Sequence, residues 1–222
     1  SNGKIYAVGG INASNAIVGT VEEYDPATNT WTNCGAGCAP MPTARESLAV
    51  VVASNGKVYA IGGFAPAGRV GTVQEYNPAT NAWTNCGSAC ATMPTARNRF
   101  GAAQATNGKI YAIGGQSDTA FLTTVEEYDP ATNTWTNCGG SCAAMPTARS
   151  DLAAALGSNG KLYAIGGIAP VVGLTAVNEE ATLPPADTTA PTGTVVINGD
   201  AASTTTTSVT LTLTCSDNVG CT

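Results

Sequence analysis

Apolar residues in this chain come in short bursts, each closed by Gly, Asn or Pro. "SLAVVVA" (47–53) is followed by the tight turn "SNGK" and then by "KVYAIGG", which predicts two antiparallel strands joined by a hairpin. After a variable loop, "GTVQEYNP" alternates apolar and polar positions with the period of a strand, "NPATN" has hairpin-turn chemistry, and "AWTN" opens a fourth strand. A sheet of four such short strands cannot bury both faces alone, so neighbouring units must stack face to face.

The unit does return. "KIYAVGG", "KVYAIGG", "KIYAIGG" and "KLYAIGG" place their first glycines at Gly9, Gly62, Gly114 and Gly166, in steps of 53, 52 and 52. Tyr24, Tyr76 and Tyr128 keep the 52-residue interval, as do Trp31, Trp83 and Trp135. The expected fold is therefore all-β, with about four repeats of 52 residues, each a four-stranded antiparallel sheet.

Apolar residues before a Gly-Gly pair, then a spaced Tyr and Trp, then an Arg shortly before the next apolar strand, resemble the kelch repeat, whose units are blades of a β-propeller. The resemblance covers residues 1–183. It implies a packing role near the propeller axis for Gly9, Gly10, Gly62, Gly63, Gly114, Gly115, Gly166 and Gly167, where larger side chains would block close approach. The first and last blades read as incomplete: the first begins at its second strand, and in the last Glu180 takes the Tyr position and Asp187 the Trp position.

Composition shifts at residues 184–191 to the Pro and Thr of a semi-rigid linker. Beyond it, over 192–222, "GTVVING" and "TSVTLTLTCSD" predict two strands that resemble the opening of a bacterial immunoglobulin-like domain, truncated or completed by another molecule.

Charge narrows the function. Only 11% of residues are charged, the net charge is −6, and no Lys/Arg cluster exists, which argues against a nucleic-acid partner. No apolar run approaches the roughly 20 residues of a membrane-spanning helix. The sequence has no histidine, the commonest general base and transition-metal ligand, so no catalytic residue, metal or cofactor is expected. The copper radical site of galactose oxidase, a protein that some kelch propellers resemble, depends on histidine and has nothing here to carry it.

The eight cysteines fall in close pairs: Cys34 with Cys38, Cys86 with Cys90, Cys138 with Cys142, and Cys215 with Cys221. Short flexible spacers favour a disulfide inside each pair; a ladder between adjacent blades and metal binding are the alternatives. Disulfides would place the protein outside the cytoplasm, extracellular or at the cell surface.

Arg45, Arg97 and Arg149 follow "PTA" in successive units. They either form a rim that binds carboxylates or sugar acids, or each ties down a loop by bonding backbone carbonyls or the repeated Glu23, Glu75 or Glu127; the second reading is favoured because the residue recurs in every internal repeat. The loops that vary, "INASNAIVG", "FAPAGRVG", "QSDTAFLT" and "IAPVVGLT", are nearly uncharged and suit an interaction surface better than an active site. The expected function is a non-enzymatic extracellular scaffold or adhesion module with a protein or glycan partner. The alternatives are a filament subunit completed by other copies of itself, and a carbohydrate-binding or sugar-modifying kelch protein.

Overall fold

The structure, a computed structural model, describes residues 3–33, 37–85, 90–137, 142–183, 192–197 and 211–216. The chain divides into two compact units, Ser1–Pro184 and Pro185–Thr222.

Among the described residues the first unit contains four main antiparallel sheets, one per repeat, and two separate two-stranded rim hairpins. The first sheet holds β1 (Ile5–Val8), β2 (Val21–Asp25) and β3 (Thr30–Asn33). The second begins with β4 (Ala49–Val52) and β5 (Val58–Ile61), makes a small rim hairpin of β6 (Phe64–Ala65) and β7 (Gly68–Arg69), and ends with β8 (Val73–Asn77) and β9 (Ala82–Asn85). The third is β10 (Gly101–Gln104), β11 (Ile110–Ile113), β12 (Val125–Asp129) and β13 (Thr134–Thr136). The fourth pairs β14 (Ala153–Leu156), β15 (Leu162–Ile165) and β18 (Asn178–Ala181), with the rim hairpin β16 (Ile168–Ala169) and β17 (Gly173–Leu174) in its loop.

Local chemistry fixes the turns. In "SNGK" the Asn55 side chain accepts from the Lys57 N–H at 3.1 Å, and in "NPATN" Asn77 accepts from the Ala79 N–H at 3.0 Å, both side-chain turns of the Asx kind. Asn81 then adopts φ 51°, the left-handed conformation that Asn tolerates.

Each central strand sends alternate side chains to different neighbours, as a period of two requires. In β5, Val58 joins the cluster shared with Val21 of the first sheet, whereas Tyr59 and Ile61 join the one shared with Phe100, Ile110 and Tyr128 of the third. In β11, Tyr111 and Ile113 pack with Leu152, Leu162 and Ala164 of the fourth. The sheets thus stack face to face, with β4, β10 and β14 adjacent along the inner side.

That stacking explains the glycine pairs. Gly62 has φ 57°, and a Cβ there would lie 2.8 Å from the Arg97 carbonyl oxygen and from the Phe100 ring of the next repeat. The neighbouring Gly63 N–H donates to that same Arg97 carbonyl at 2.8 Å, and Gly10 to Arg45 and Gly115 to Arg149 repeat the bond at 2.8 Å. Gly9, Gly114, Gly115 and Gly167 are similarly crowded by backbone, but Gly10 meets nothing within 4 Å and Gly166 meets only the Thr175 carbonyl at 3.6 Å. Crowding therefore does not account for those two; both have positive φ.

The fourth sheet corrects the sequence alignment. Leu162 pairs with Ala181 and Tyr163 with Glu180, whereas Ile110 pairs with Tyr128 and Tyr111 with Glu127. Ala181, not Glu180, stands in the Tyr position, and Glu180 is the counterpart of Glu127. The loop entering β18 is one residue longer than its neighbour, since Gly166 N–H bonds to Val177 where Gly114 bonds to Thr124. A rim loop absorbs the extra residue and leaves the ladder in register. Asp187 lies outside the described residues.

In the second unit, β19 (Thr192–Ile197) and β20 (Leu211–Ser216) pair antiparallel from Thr192 with Ser216 to Ile197 with Leu211. Both strands expected there are present, and a single hairpin does not by itself define an immunoglobulin-like domain.

Candidate functional site

The three repeated arginines lie in the interior, each 0% exposed, which removes them from any ligand-binding rim. Arg97 Nη1 donates to the Gly114 and Thr124 carbonyls at 3.0 and 3.1 Å, and its Nη2 lies 2.8 Å from Glu126 Oε1. Arg149 repeats this with Gly166 at 2.9 Å, Val177 at 2.6 Å and Glu179 at 2.8 Å. Arg45 bonds Gly62 and Thr72 at 2.8 and 2.9 Å but meets the neutral amide of Gln74, at 2.8 Å, in place of a carboxylate. Burial pulls the Arg45 guanidinium down to about 10; Arg97 is also lowered by burial, with Glu126 opposing the shift.

The backbone part of the tie-down reading holds, and the acid is corrected. The partners are Glu126 and Glu179, each one residue before the acid that aligns with Glu23 and Glu75. Neighbouring strand residues face opposite ways, so Glu75 and Glu127 serve another cluster. There Glu127 accepts from Lys109 Nζ at 2.7 Å and from the Tyr111 hydroxyl at 2.6 Å, while Asn107 donates to that hydroxyl at 2.8 Å. Lys57, Tyr59, Asn55 and Glu75 repeat the cluster, Lys161, Tyr163, Asn159 and Glu180 hold the same positions, and Tyr6 donates to Glu23 at 2.7 Å. Burial first, then the adjoining carboxylate, raises the phenols of Tyr59 and Tyr111.

Tyr24 with Trp31, Tyr76 with Trp83, and Tyr128 with Trp135 form cross-strand ring pairs with centroids 5.2, 5.1 and 5.1 Å apart. Burial pushes Tyr128 up to about 12. Two of the indoles, Trp83 and Trp135, reach beyond their own sheets. Trp83 Nε1 donates to the Ala39 carbonyl at 2.8 Å, and Asn81 Oδ1 accepts from the Ala39 N–H at 2.6 Å. Trp135 and Asn133 treat Ala91 in the same way, at 3.0 and 2.7 Å. Ala39 and Ala91 directly follow Cys38 and Cys90, so the first two cysteine-bearing loops are stitched to the hairpin of the next sheet. The sequence signal was the recurrence of Asn at the end of "PATN"; its side-chain partner lies more than 40 residues earlier.

Cys38, Cys90 and Cys142 are disulfide-bonded. Cys34, Cys86, Cys138 and Cys221 lie outside the described residues, and for Cys215 only the β20 backbone is described.

Two features escaped the sequence reading. Ser47, Arg99 and Asp151 occupy equivalent positions with φ of 50°, 54° and 54°, and a backbone chain links them: Arg99 N–H to Ser47 O at 2.9 Å, Asp151 N–H to Arg99 O at 2.7 Å. Varied side chains on a repeated, strained backbone give no sequence period. The second is a bridge between variable loops. Arg69 donates to Asp118 at 2.9 Å and to Asn98 at 3.0 Å, tying the second rim loop to the third repeat. The fourth rim loop has no such charged tie, and Val171, Val172 and Leu174 are 94%, 69% and 86% exposed.

Among the described residues no helix is long and apolar enough to cross a membrane. The family described as the KLHDC2/KLHL20/DRC7 Kelch-repeats domain matches residues 1–177. Kelch-like protein 40 of Xenopus laevis is 32% identical over 174 residues, covering 77% of this chain and 26% of the relative. Kelch-like protein 25 of Xenopus tropicalis is 34% identical over 173 residues, covering 73% and 26%. An F-box/kelch-repeat protein of Arabidopsis thaliana, At1g67480, is 33% identical over 122 residues, covering 53% and 30%. The chain spans about a quarter of the length of the two Kelch-like relatives. With its antiparallel sheets, its glycine pairs and a family match across residues 1–177, the chain belongs to the kelch-repeat family.

Proposed function

We propose that this chain is a non-catalytic interaction scaffold of an exported protein, extracellular or at the cell surface, in which rigid kelch blades present variable rim loops to a protein or glycan partner. The observation that carries this reading is the fourth rim loop, where Val171, Val172 and Leu174 stand exposed beside sheets whose three repeated arginines, Arg45, Arg97 and Arg149, are consumed internally. Exposed apolar clusters on a rigid frame mark interaction surfaces. The export half rests on the disulfide-bonded Cys38, Cys90 and Cys142, with pairing inside each close pair and an oxidising compartment as the reading. The Pro/Thr-rich junction and the antiparallel β19–β20 pair support an immunoglobulin-like module beginning after residue 191. Binding of the purified chain to intact cells, read by flow cytometry, is expected to fall when Val171, Val172 and Leu174 are all changed to Asp. Unchanged binding, or no binding by the unaltered chain, rejects the proposal.

A second reading, a filament subunit assembled by blade completion between copies, is favoured by the outward faces of the first and fourth sheets. Ile5 is 55% exposed where its counterpart Val58 is 1%, and Ile165 is 44% exposed where Ile61 is 0%. Electron microscopy showing only monomers at high concentration rejects it.

A further inference from the structure

The interfaces between successive sheets share one plan, and two of them show what belongs in the third. In the first, Tyr76 and Trp83 close over Cys38, and in the second Tyr128 and Trp135 close over Cys90 and Met93. The third has the same floor, with Cys142, Met145, Leu162 and the Tyr111 ring in one cluster, as Tyr59 is in the second, but among the described residues no Tyr–Trp pair closes over it: Ala181 stands in the Tyr position. A mostly apolar cavity of about 150 Å³ lies there, with Cys142, Ala143, Met145, Leu162 and Ala181 in its lining and Glu179 and Glu180 also on its wall. An apolar cavity of about that size suits a single aromatic ring.

Hydrogen-bonding groups at the cavity specify the ring further. The N–H and C=O of Ala39 and Ala91 are each taken by an Asn side chain and a Trp indole. Ala143, their counterpart, lines the cavity and makes neither bond among the described residues. The strand geometry matches as well. β8 pairs with β9 and β12 with β13, so that Trp83 lies opposite Tyr76 and Trp135 opposite Tyr128. Among the described residues β18 pairs with β15 alone.

We propose that this is a second binding site, separate from the rim loops, which takes the tryptophan of an extended peptide segment from a partner protein. The segment runs antiparallel beside β18, its indole sits opposite Ala181 over Met145 and Leu162, and the indole N–H donates to the Ala143 carbonyl. Main-chain pairing supplies strand affinity and the ring supplies selectivity. A phenylalanine fills the same space but leaves the carbonyl unmet.

The test is titration of the full chain with a fluorescently labelled peptide built on Asn-Thr-Trp-Thr-Asn, the sequence of the third repeat's own strand. Binding is expected, with at least about tenfold weaker affinity when the peptide Trp is Ala, as for a buried aromatic anchor. Ala181→Trp, which places an indole from the chain itself in the cavity, is expected to weaken the peptide by a similar factor while unfolding at or above the temperature of the unaltered chain. The Val171, Val172 and Leu174 triple-Asp variant is expected to bind the peptide normally, which separates this site from the rim-loop reading. Absence of binding, or equal binding of the Trp and Ala peptides, overturns the proposal without reference to any variant. N-acetyltryptophanamide binding as tightly as the peptide overturns the strand component.

Discussion

The interface between the second and third sheets and the one between the third and fourth are built from the same repeat, and they agree in the inner layer and part company in the outer one. Inside, Arg97 with Glu126 and Arg149 with Glu179 are superimposable in kind, each a fully buried guanidinium held by two carbonyls and a carboxylate. Outside, Tyr128, Trp135 and Asn133 seal the first of these interfaces, whereas among the described residues the second has Ala181 in the Tyr position and no such seal. Blade stacking is therefore carried by the arginine and glycine layer, and the aromatic hairpin is a separate closure that one blade dispenses with.

Replacing either arginine strikes the shared layer and should have the largest effect. Arg97→Ala and Arg149→Ala are each expected to destabilise the kelch unit by about 3–5 kcal/mol in denaturant unfolding, because a buried carboxylate and two carbonyls lose their donor. A large difference between the two would show that the inner layers are not equivalent. Next comes the outer layer. Tyr128→Ala converts the closed interface toward the open one and should cost about 3 kcal/mol, while the converse change, Ala181→Tyr, should gain about 1 kcal/mol by filling space. The smallest effect sharpens the arginine layer itself. Gln74→Glu gives Arg45 the carboxylate its two sisters have, and should stabilise by roughly 1 kcal/mol near neutral pH. The sign follows from Arg45: a depressed guanidinium pKa means the unfolded chain holds that proton more tightly, so the unpaired charge opposes folding at neutral pH. No gain would mean that Gln74 already satisfies the site.

Much of this was legible in the sequence, for a physical reason. Strands β4, β5, β8 and β9 follow directly from the apolar bursts and from Asn55, Gly56, Asn77 and Asn81 in the turns, all local signals. What depended on facing was not legible. Glu126 and Glu127 are adjacent acids, and only the strand's orientation decides which meets Arg97 and which meets Lys109. The fourth repeat aligned without a gap, and only the pairing of Tyr163 with Glu180 exposes the extra residue in its loop. Asn133 was readable as a turn residue from its neighbours, but its bond to Ala91 crosses between sheets.

Hydrogen exchange at three equivalent amides tests the stitch most directly. The N–H groups of Ala39 and Ala91, bonded to Asn81 and Asn133, are predicted to exchange slowly, and that of Ala143, unbonded among the described residues, to exchange quickly. Equal protection at Ala91 and Ala143 would contradict the claim that the hairpin of one blade holds the loop of the blade before it.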